Sequence, residues 1–86
     1  MEISNKQNLI RDYKIIRWPR KEAEKYAVLN FIALKIPYGI KLSEPEINKI
    51  ITQNILFNDY ALIRRELIER GYINRTRDCR EYWRTE

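Results

Sequence analysis

The sequence predicts an α+β domain in which three helices lead into a C-terminal β-hairpin, with a short N-terminal strand or arm ahead of them. Three observations carry that expectation. Apolar residues recur at helical spacing in three blocks separated by turn residues. Ser43-x-x-Glu46 has the form of a capping box, and Asn58-Asp59 offers a second cap. Gly71 stops the third block, and the residues beyond it read as two short strands about the turn "TRDC".

The elements follow in order. Residues 1–18 form the arm, in which Leu9, Ile10 and Tyr13 are expected on the inner side of a short helix or extended segment. "KIIRW", residues 14–18, has adjacent β-branched residues and reads as a short strand that Pro19 ends. The remaining domain spans 19–86. Helix one is expected from about Arg20 to Lys35, with Tyr26, Leu29, Ile32, Ala33 and Ile36 as its buried face. A second apolar stripe at Ala27, Phe31 and Leu34 needs its own cover, either the arm or a partner subunit.

Pro37 and Gly39 break the chain, and Ile40 to Leu42 is a candidate for a very short strand. Ser43 caps helix two, which turns Ile47, Ile50 and Ile51 inward and fades near Thr52 to Asn54. Leu56 and Phe57 are expected to be buried in the connection. Asn58 or Asp59 caps helix three, whose inner face is Tyr60, Ile63, Leu67 and Ile68. Tyr72 to Arg75 and Arg80 to Arg84 pair as the hairpin. Strand alternation then sends Tyr82 and Trp83 to opposite faces. Helix, short strand, helix, helix, hairpin is the order of a winged helix, with helix three in the recognition position.

Composition bounds the function. A chain of 86 residues with 44 % apolar and 12 % aromatic content supports one thin core. The longest apolar run, Tyr26 to Leu34, is too short to span a bilayer, and an apolar signal core is absent, so a cytoplasmic protein is expected. The single cysteine, Cys79, fits a reducing compartment and reads as an incidental turn residue. With no histidine, the usual general base at neutral pH is missing and zinc sites of the Cys/His type cannot form. The expectation is a protein that is not an enzyme and takes no cofactor or metal. The net charge of +5 is concentrated near the ends, which is compatible with a polyanion partner.

One further set of residues carries a resemblance. Pro19-Arg20-Lys21, Asp59-Tyr60-Ala61-x-x-Arg64-Arg65-x-Leu67, Gly71 and Arg80-Glu81-Tyr82-Trp83-Arg84 resemble a family of small bacterial domains, the domain of unknown function two-zero-eight-seven. The resemblance covers roughly residues 13–85 and implies a winged-helix domain, found alone or attached to helix-turn-helix modules of transcription regulators. It implies no catalytic residue and no ligand. Three positions depart from the pattern: Asn58 replaces an Asp or His, Leu62 a smaller or more polar residue, and Cys79 a Gly. A side chain at position 79 weighs against a left-handed turn there. Leu62 adds apolar surface to the outer face of helix three, which favours a protein partner at that face.

For a nucleic-acid reading, the hairpin suits phosphate better than helix three suits base edges. Between Asp59 and Arg70 stand three acidic and three basic groups, expected largely as solvated pairs of Arg65 with Glu69 and Glu66 with Arg70. Arg65 is the one candidate there for a bidentate base contact. Arg64 is expected to be structural, with Glu81 as partner. Arg75, Arg77, Arg80 and Arg84 surround the hairpin turn and are the candidate phosphate contacts, with Lys21 in a second basic group at the start of helix one. The expectation is therefore a winged-helix module that binds duplex DNA, as a small transcription regulator or a fragment of one. The alternative is a winged helix used for homodimerisation or protein binding through Ala27, Phe31, Leu34 and Leu62.

Overall fold

A computed structural model describes residues 9–85. The part of the expected arm at residues 1–8 lies outside them. The chain forms an α+β arrangement: β1 (Ile10–Arg11), β2 (Lys14–Ile15), α1 (Glu22–Ala33), α2 (Glu44–Gln53), α3 (Tyr60–Glu69), β3 (Ile73–Arg75) and β4 (Tyr82–Arg84). The sheets are two antiparallel pairs, β1 with β2 and β3 with β4.

The first pair is a tight hairpin, not the short helix entertained for the arm. Ile10 faces Ile15 and Arg11 faces Lys14. Its turn residues, Asp12 and Tyr13, have φ of 54° and 65°. Two successive left-handed residues match the right-handed twist of two-residue hairpins. Tyr13 therefore points from a turn tip into solvent rather than inward. Leu9 and Ile15 do enter the core. Ile15 also bridges Ile55 in parallel, giving its N–H to Asn54 O at 2.8 Å and accepting from Leu56 N at 2.7 Å. The strand expected over 14–18 thus ends at Ile15, and its remaining ladder bonds go to the α2–α3 connection.

α1 begins without a side-chain cap, and its buried residues are Val28, Leu29, Ile32 and Ala33. Tyr26 was expected among them and is exposed. At about 100° per residue, the stripe formed by Val28, Leu29, Ile32, Ala33 and Ile36 leaves Tyr26 about 90° from its centre. The ring lies on the rim, 6.5 Å from the Tyr72 ring and 4.9 Å under the Arg70 guanidinium. On the second stripe, Ala27 and Leu34 face solvent, while Phe31 packs partly on the core with Lys35 Nζ over its ring at 4.9 Å.

α2 starts on the expected box: Ser43 Oγ accepts from Glu46 N at 3.2 Å, and Glu46 Oε1 accepts from Ser43 N at 2.8 Å. Ile47 and Ile51 are fully buried, and Ile50 is partly so. Asp59 caps α3 by accepting from Leu62 N at 3.1 Å. Ile63 and Leu67 face the core and Ile68 packs against it, whereas Tyr60, expected on the inner face, is exposed: it is the first residue of α3, and its ring lies 6.0 Å from the Arg64 guanidinium. Leu56, expected to be buried, is exposed. Its N–H serves the Ile15 bridge, and that pairing turns the side chain outward while Ile55 fills the core. Gly71 has φ of 85° and ends α3 as expected.

The C-terminal hairpin then closes the fold. β3 and β4 pair with Asn74 opposite Trp83 and Arg75 opposite Tyr82. Leu42 joins the outer edge of β4 through two bonds with Tyr82, at 2.8 and 2.7 Å. The short strand expected at 40–42 is thus reduced to a single bridge. Thr85 secures the end, giving its N–H to Tyr72 O at 3.1 Å and its hydroxyl to Gly71 O at 2.6 Å. Among the described residues, fifteen apolar side chains, drawn from every helix, both hairpins and their connections, form one core. Burial of each aliphatic side chain contributes on the order of 1.5–3 kcal/mol.

Candidate nucleic-acid interface

The turn of the C-terminal hairpin is built by Thr76 and Asp78. The Thr76 hydroxyl donates to Asp78 Oδ1 at 2.7 Å and accepts from the N–H groups of Arg80 and Glu81, both at 3.2 Å. Asp78 Oδ1 also accepts from Arg80 N at 3.1 Å. The Thr76 hydroxyl and the Arg80 amide hold the Asp78 carboxyl below the usual carboxylate range. Cys79 N–H returns to Thr76 O at 3.0 Å, and Cys79 takes φ of 62°. The left-handed turn is therefore retained without the glycine. Backbone bonds on both sides of position 79 fix it, and the thiol is tucked half-buried against the core.

This turn projects guanidinium groups. Arg75, Arg77 and Arg80 are exposed. Arg77 makes no ion pair or side-chain hydrogen bond among the described residues. Arg80 approaches Asp78 at 3.6 Å with 84 % of its side chain accessible, so solvent screens that pair almost entirely. Arg75 reaches toward Cys79 Sγ. Glu81, the other carboxylate beside the turn, is drawn to Lys41 at 3.7 Å, and Lys41 Nζ also lies 5.5 Å over the Trp83 ring. The tip consequently carries three cations, with the carboxylate of Asp78 in the turn and that of Glu81 beside it, the latter shared with Lys41.

The other candidates are placed differently. Arg84 stands at the far end of the ladder, opposite Ile73, and donates to Ile36 O at 3.0 Å while lying 5.8 Å from the Tyr38 ring centre. Register explains the separation: Arg84 is even-numbered like Tyr82, so it shares the inward face and is turned to the α1 end. Lys21 precedes Glu22, whose carboxylate is bound by Arg70 at the C-terminal end of α3. The hairpin turn is instead tied to the start of α2 through Glu81–Lys41 and Tyr82–Glu44. The structure therefore brings Arg75, Arg77 and Arg80 together and leaves Lys21 and Arg84 in other surroundings.

On α3, Arg65 and Glu69 are exposed but form no pair with each other, while Leu62 is half-buried. Glu66 does pair with Arg70, at 2.7 Å, and the same guanidinium reaches Glu22 at 2.7 Å. The Arg70 and Lys25 bonds hold the Glu22 carboxyl below its ordinary value, and the two carboxylates raise the Arg70 pKa. Arg64 is structural, but its partner is not Glu81. It donates to Asn48 Oδ1 and lies 3.8 Å from Glu44 Oε2, because the inner flank of α3 faces α2 rather than the hairpin turn. The remaining Glu44 oxygen accepts from the Tyr82 hydroxyl at 3.0 Å. Burial, then the Glu44 contact, pushes the Tyr82 hydroxyl up to about 12. Lys41 had not been singled out from the sequence; its place just before the strand position Leu42 is the signal that would have put it beside β4.

A family model described as an uncharacterized protein conserved in bacteria (DUF2087) matches residues 14–84. The chain belongs to this family. The DUF2087 match runs from β2 through β4, so the helices, the capping box and the arginine-bearing turn all lie within it. No curated protein and no solved structure matches the chain. Among the described residues, no helix is long and apolar enough to cross a membrane, and no group of three or more His, Cys, Asp or Glu is placed to hold a metal ion.

Proposed function

We propose that this DUF2087 domain is a winged-helix nucleic-acid-binding module that grips the backbone of duplex DNA, acting as a small cytoplasmic transcription regulator or part of one. The observation that carries this reading is the exposed hairpin tip. Arg75, Arg77 and Arg80 stand on a turn braced by Thr76, and the Asp78 carboxylate of that turn is engaged by a hydroxyl and an amide. Such groups neutralise phosphates and position a protein without reading sequence. Arg65, exposed on the outer face of α3 and without an ion pair among the described residues, is the residue assigned to the groove. The Tyr82 ring is buried and the half-buried Trp83 ring has Lys41 Nζ 5.5 Å from its centre, so neither is fully open to stack on a base, which favours duplex over single strand. The Leu42–Tyr82 bridge supports the winged-helix reading, because it places the segment between α1 and α2 beside the last strand.

Titration with random-sequence duplex DNA at low salt, followed by amide chemical shifts, tests the proposal. Shifts clustered at Arg65, Arg75, Arg77 and Arg80 are expected. A spectrum unchanged at those residues removes it. The second reading, self-association through the stripe of Ala27, Phe31 and Leu34 with Leu62, rests on the exposure of Ala27 and Leu34. Sedimentation at high protein concentration decides it: a strict monomer rules it out.

A further inference from the structure

The net charge of the chain is concentrated in one stretch. Residues 11–21 hold five cations, Arg11, Lys14, Arg17, Arg20 and Lys21, and one carboxylate, Asp12, whereas the rest of the chain holds twelve cations and eleven carboxylates. Among the described residues, none of the five makes an ion pair or a side-chain hydrogen bond. Lys25, Lys41, Arg64 and Arg70, by contrast, are each held by a carboxylate. Glu22, which follows Lys21, is taken by Arg70 and Lys25, and Glu24 is the further acidic group of that helical turn. The backbone explains why the cations point outward. Ile15 is buried and bonded to Asn54 and Leu56, and the Pro19 side chain is fully buried. These two anchors pin the stretch to the body and leave Arg17 between them and Arg20 beyond them in solvent. Arg11 pairs with Lys14 across the N-terminal hairpin. The tip of that hairpin raises Tyr13 with 85 % of its surface accessible and, among the described residues, without a ring or hydrogen-bond partner.

We propose that residues 11–21 form a second phosphate-binding surface for duplex DNA, in which these five cations neutralise backbone phosphates and the Tyr13 hydroxyl donates to another. The choice of duplex DNA rests on the function proposed above; the surface shares no residue with the C-terminal hairpin tip. The two stand at opposite ends of α2. β2 is bonded to Asn54, which follows the last residue of that helix, while the C-terminal hairpin is tied to Glu44, its first. The six residues from Lys14 to Arg20 span at most about 20 Å, a length of duplex that carries about a dozen phosphate charges. Composition selects the occupant. A lipid surface takes up apolar area, and Tyr13 is the one large apolar side chain exposed among residues 9–21. Trp18 is half-buried, with Lys25 Nζ 5.9 Å from its ring centre. A protein partner needs apolar anchors at the centre of the contact, and the same stretch supplies too few. Phosphates require only charge and donors, and a pinned backbone loses little freedom on binding them.

The test is the salt dependence of affinity for random-sequence duplex DNA, measured on the full chain. Arg17→Gln combined with Arg20→Gln, both at exposed positions, should lower the steepness of log affinity against log salt by about 1.8 and leave the urea midpoint unchanged. Arg17→Lys combined with Arg20→Lys keeps the charge and should keep the wild-type slope. Amide shifts on adding duplex at low salt should include Tyr13, Lys14, Arg17 and Arg20. A glutamine variant with the wild-type slope, beside an Arg77→Ala variant with a reduced one, overturns this surface and leaves the C-terminal tip standing. The reverse pattern overturns the tip and supports this surface. Absence of any binding at low salt, or binding to vesicles of anionic lipid but not to duplex, overturns the proposal.

Discussion

The Tyr82 hydroxyl donates a 3.0 Å hydrogen bond to Glu44 Oε1, joining the last strand to the first turn of α2. The other oxygen of Glu44 faces Arg64 of α3 at 3.8 Å. One carboxylate thus connects α2, α3 and the hairpin, and it sets where the arginine-bearing turn stands relative to the outer face of α3. Tyr82→Phe removes the hydroxyl and keeps the buried ring. The expected cost is about 1 kcal/mol by urea unfolding, whereas Tyr82→Ala, which empties the site, is expected to cost about 3–5 kcal/mol.

The same contact predicts an alkaline response. The folded Tyr82 hydroxyl, at about 12, holds its proton more tightly than the ordinary value of 10. Between these values the unfolded chain ionises first, so the stability is complete below about pH 10 and is lost as pH rises through about 12, by about 2–3 kcal/mol. Phenolate absorbance of the six tyrosines should show a late fraction that Tyr82→Phe reduces. Tyr72, raised by burial and then by Tyr26, belongs to the late fraction as well.

At the acidic end the sign reverses. Glu22, held below its ordinary 4.5 first by Arg70, and Asp78, held below 3.8 first by Thr76, resist protonation in the folded state. Their contribution is present above the unfolded values and disappears as pH falls through the lowered folded ones. The urea midpoint should therefore fall as the solution is acidified below about pH 4.5. Arg70→Met should flatten that fall on the Glu22 side.

Much of this architecture was legible because it is local. Ser43 and Glu46 lie three residues apart and cap α2 as their chemistry dictates, and Gly71 ends α3 where only a left-handed residue continues the chain. Failures came where tertiary pairing decided the outcome. Leu56 looks like a core residue, yet the Ile15 bridge spends its N–H and turns it out. Tyr26 has helical spacing but lies at the edge of a stripe centred on Val28, Leu29 and Ile32. In the candidate site, alternation separated Tyr82 from Trp83 correctly. The fate of Arg84 depended on the Ile36 carbonyl, 48 residues away in sequence, which no local rule reveals. Asp12 and Tyr13 hid a hairpin because neither is glycine.

Cys79 supplies a test of the turn itself. A left-handed side chain costs about 1–2 kcal/mol, and a β-branched one more. Cys79→Gly should unfold at a urea concentration equal to or slightly above wild type. Cys79→Val should lose at least about 1 kcal/mol relative to Gly. Equal stability of the two variants would mean that position 79 is not left-handed in solution.

Capping gives an independent magnitude. Ser43→Ala removes one half of the reciprocal pair with Glu46 and should cost about 1 kcal/mol. Because α2 carries Glu44 in its first turn, the same variant should weaken the tie to Tyr82. The two substitutions Ser43→Ala and Tyr82→Phe are then expected to be non-additive in a double-mutant cycle.

The most direct measurement is the salt dependence of affinity for random duplex DNA, made on wild type and on Arg77→Ala and Arg80→Ala, both fully surface substitutions. If the hairpin tip neutralises phosphates, log affinity falls linearly with log salt, and each substitution lowers the steepness of that line by about 0.9 without altering stability. Identical slopes for all three proteins, or no binding at low salt, would contradict the account.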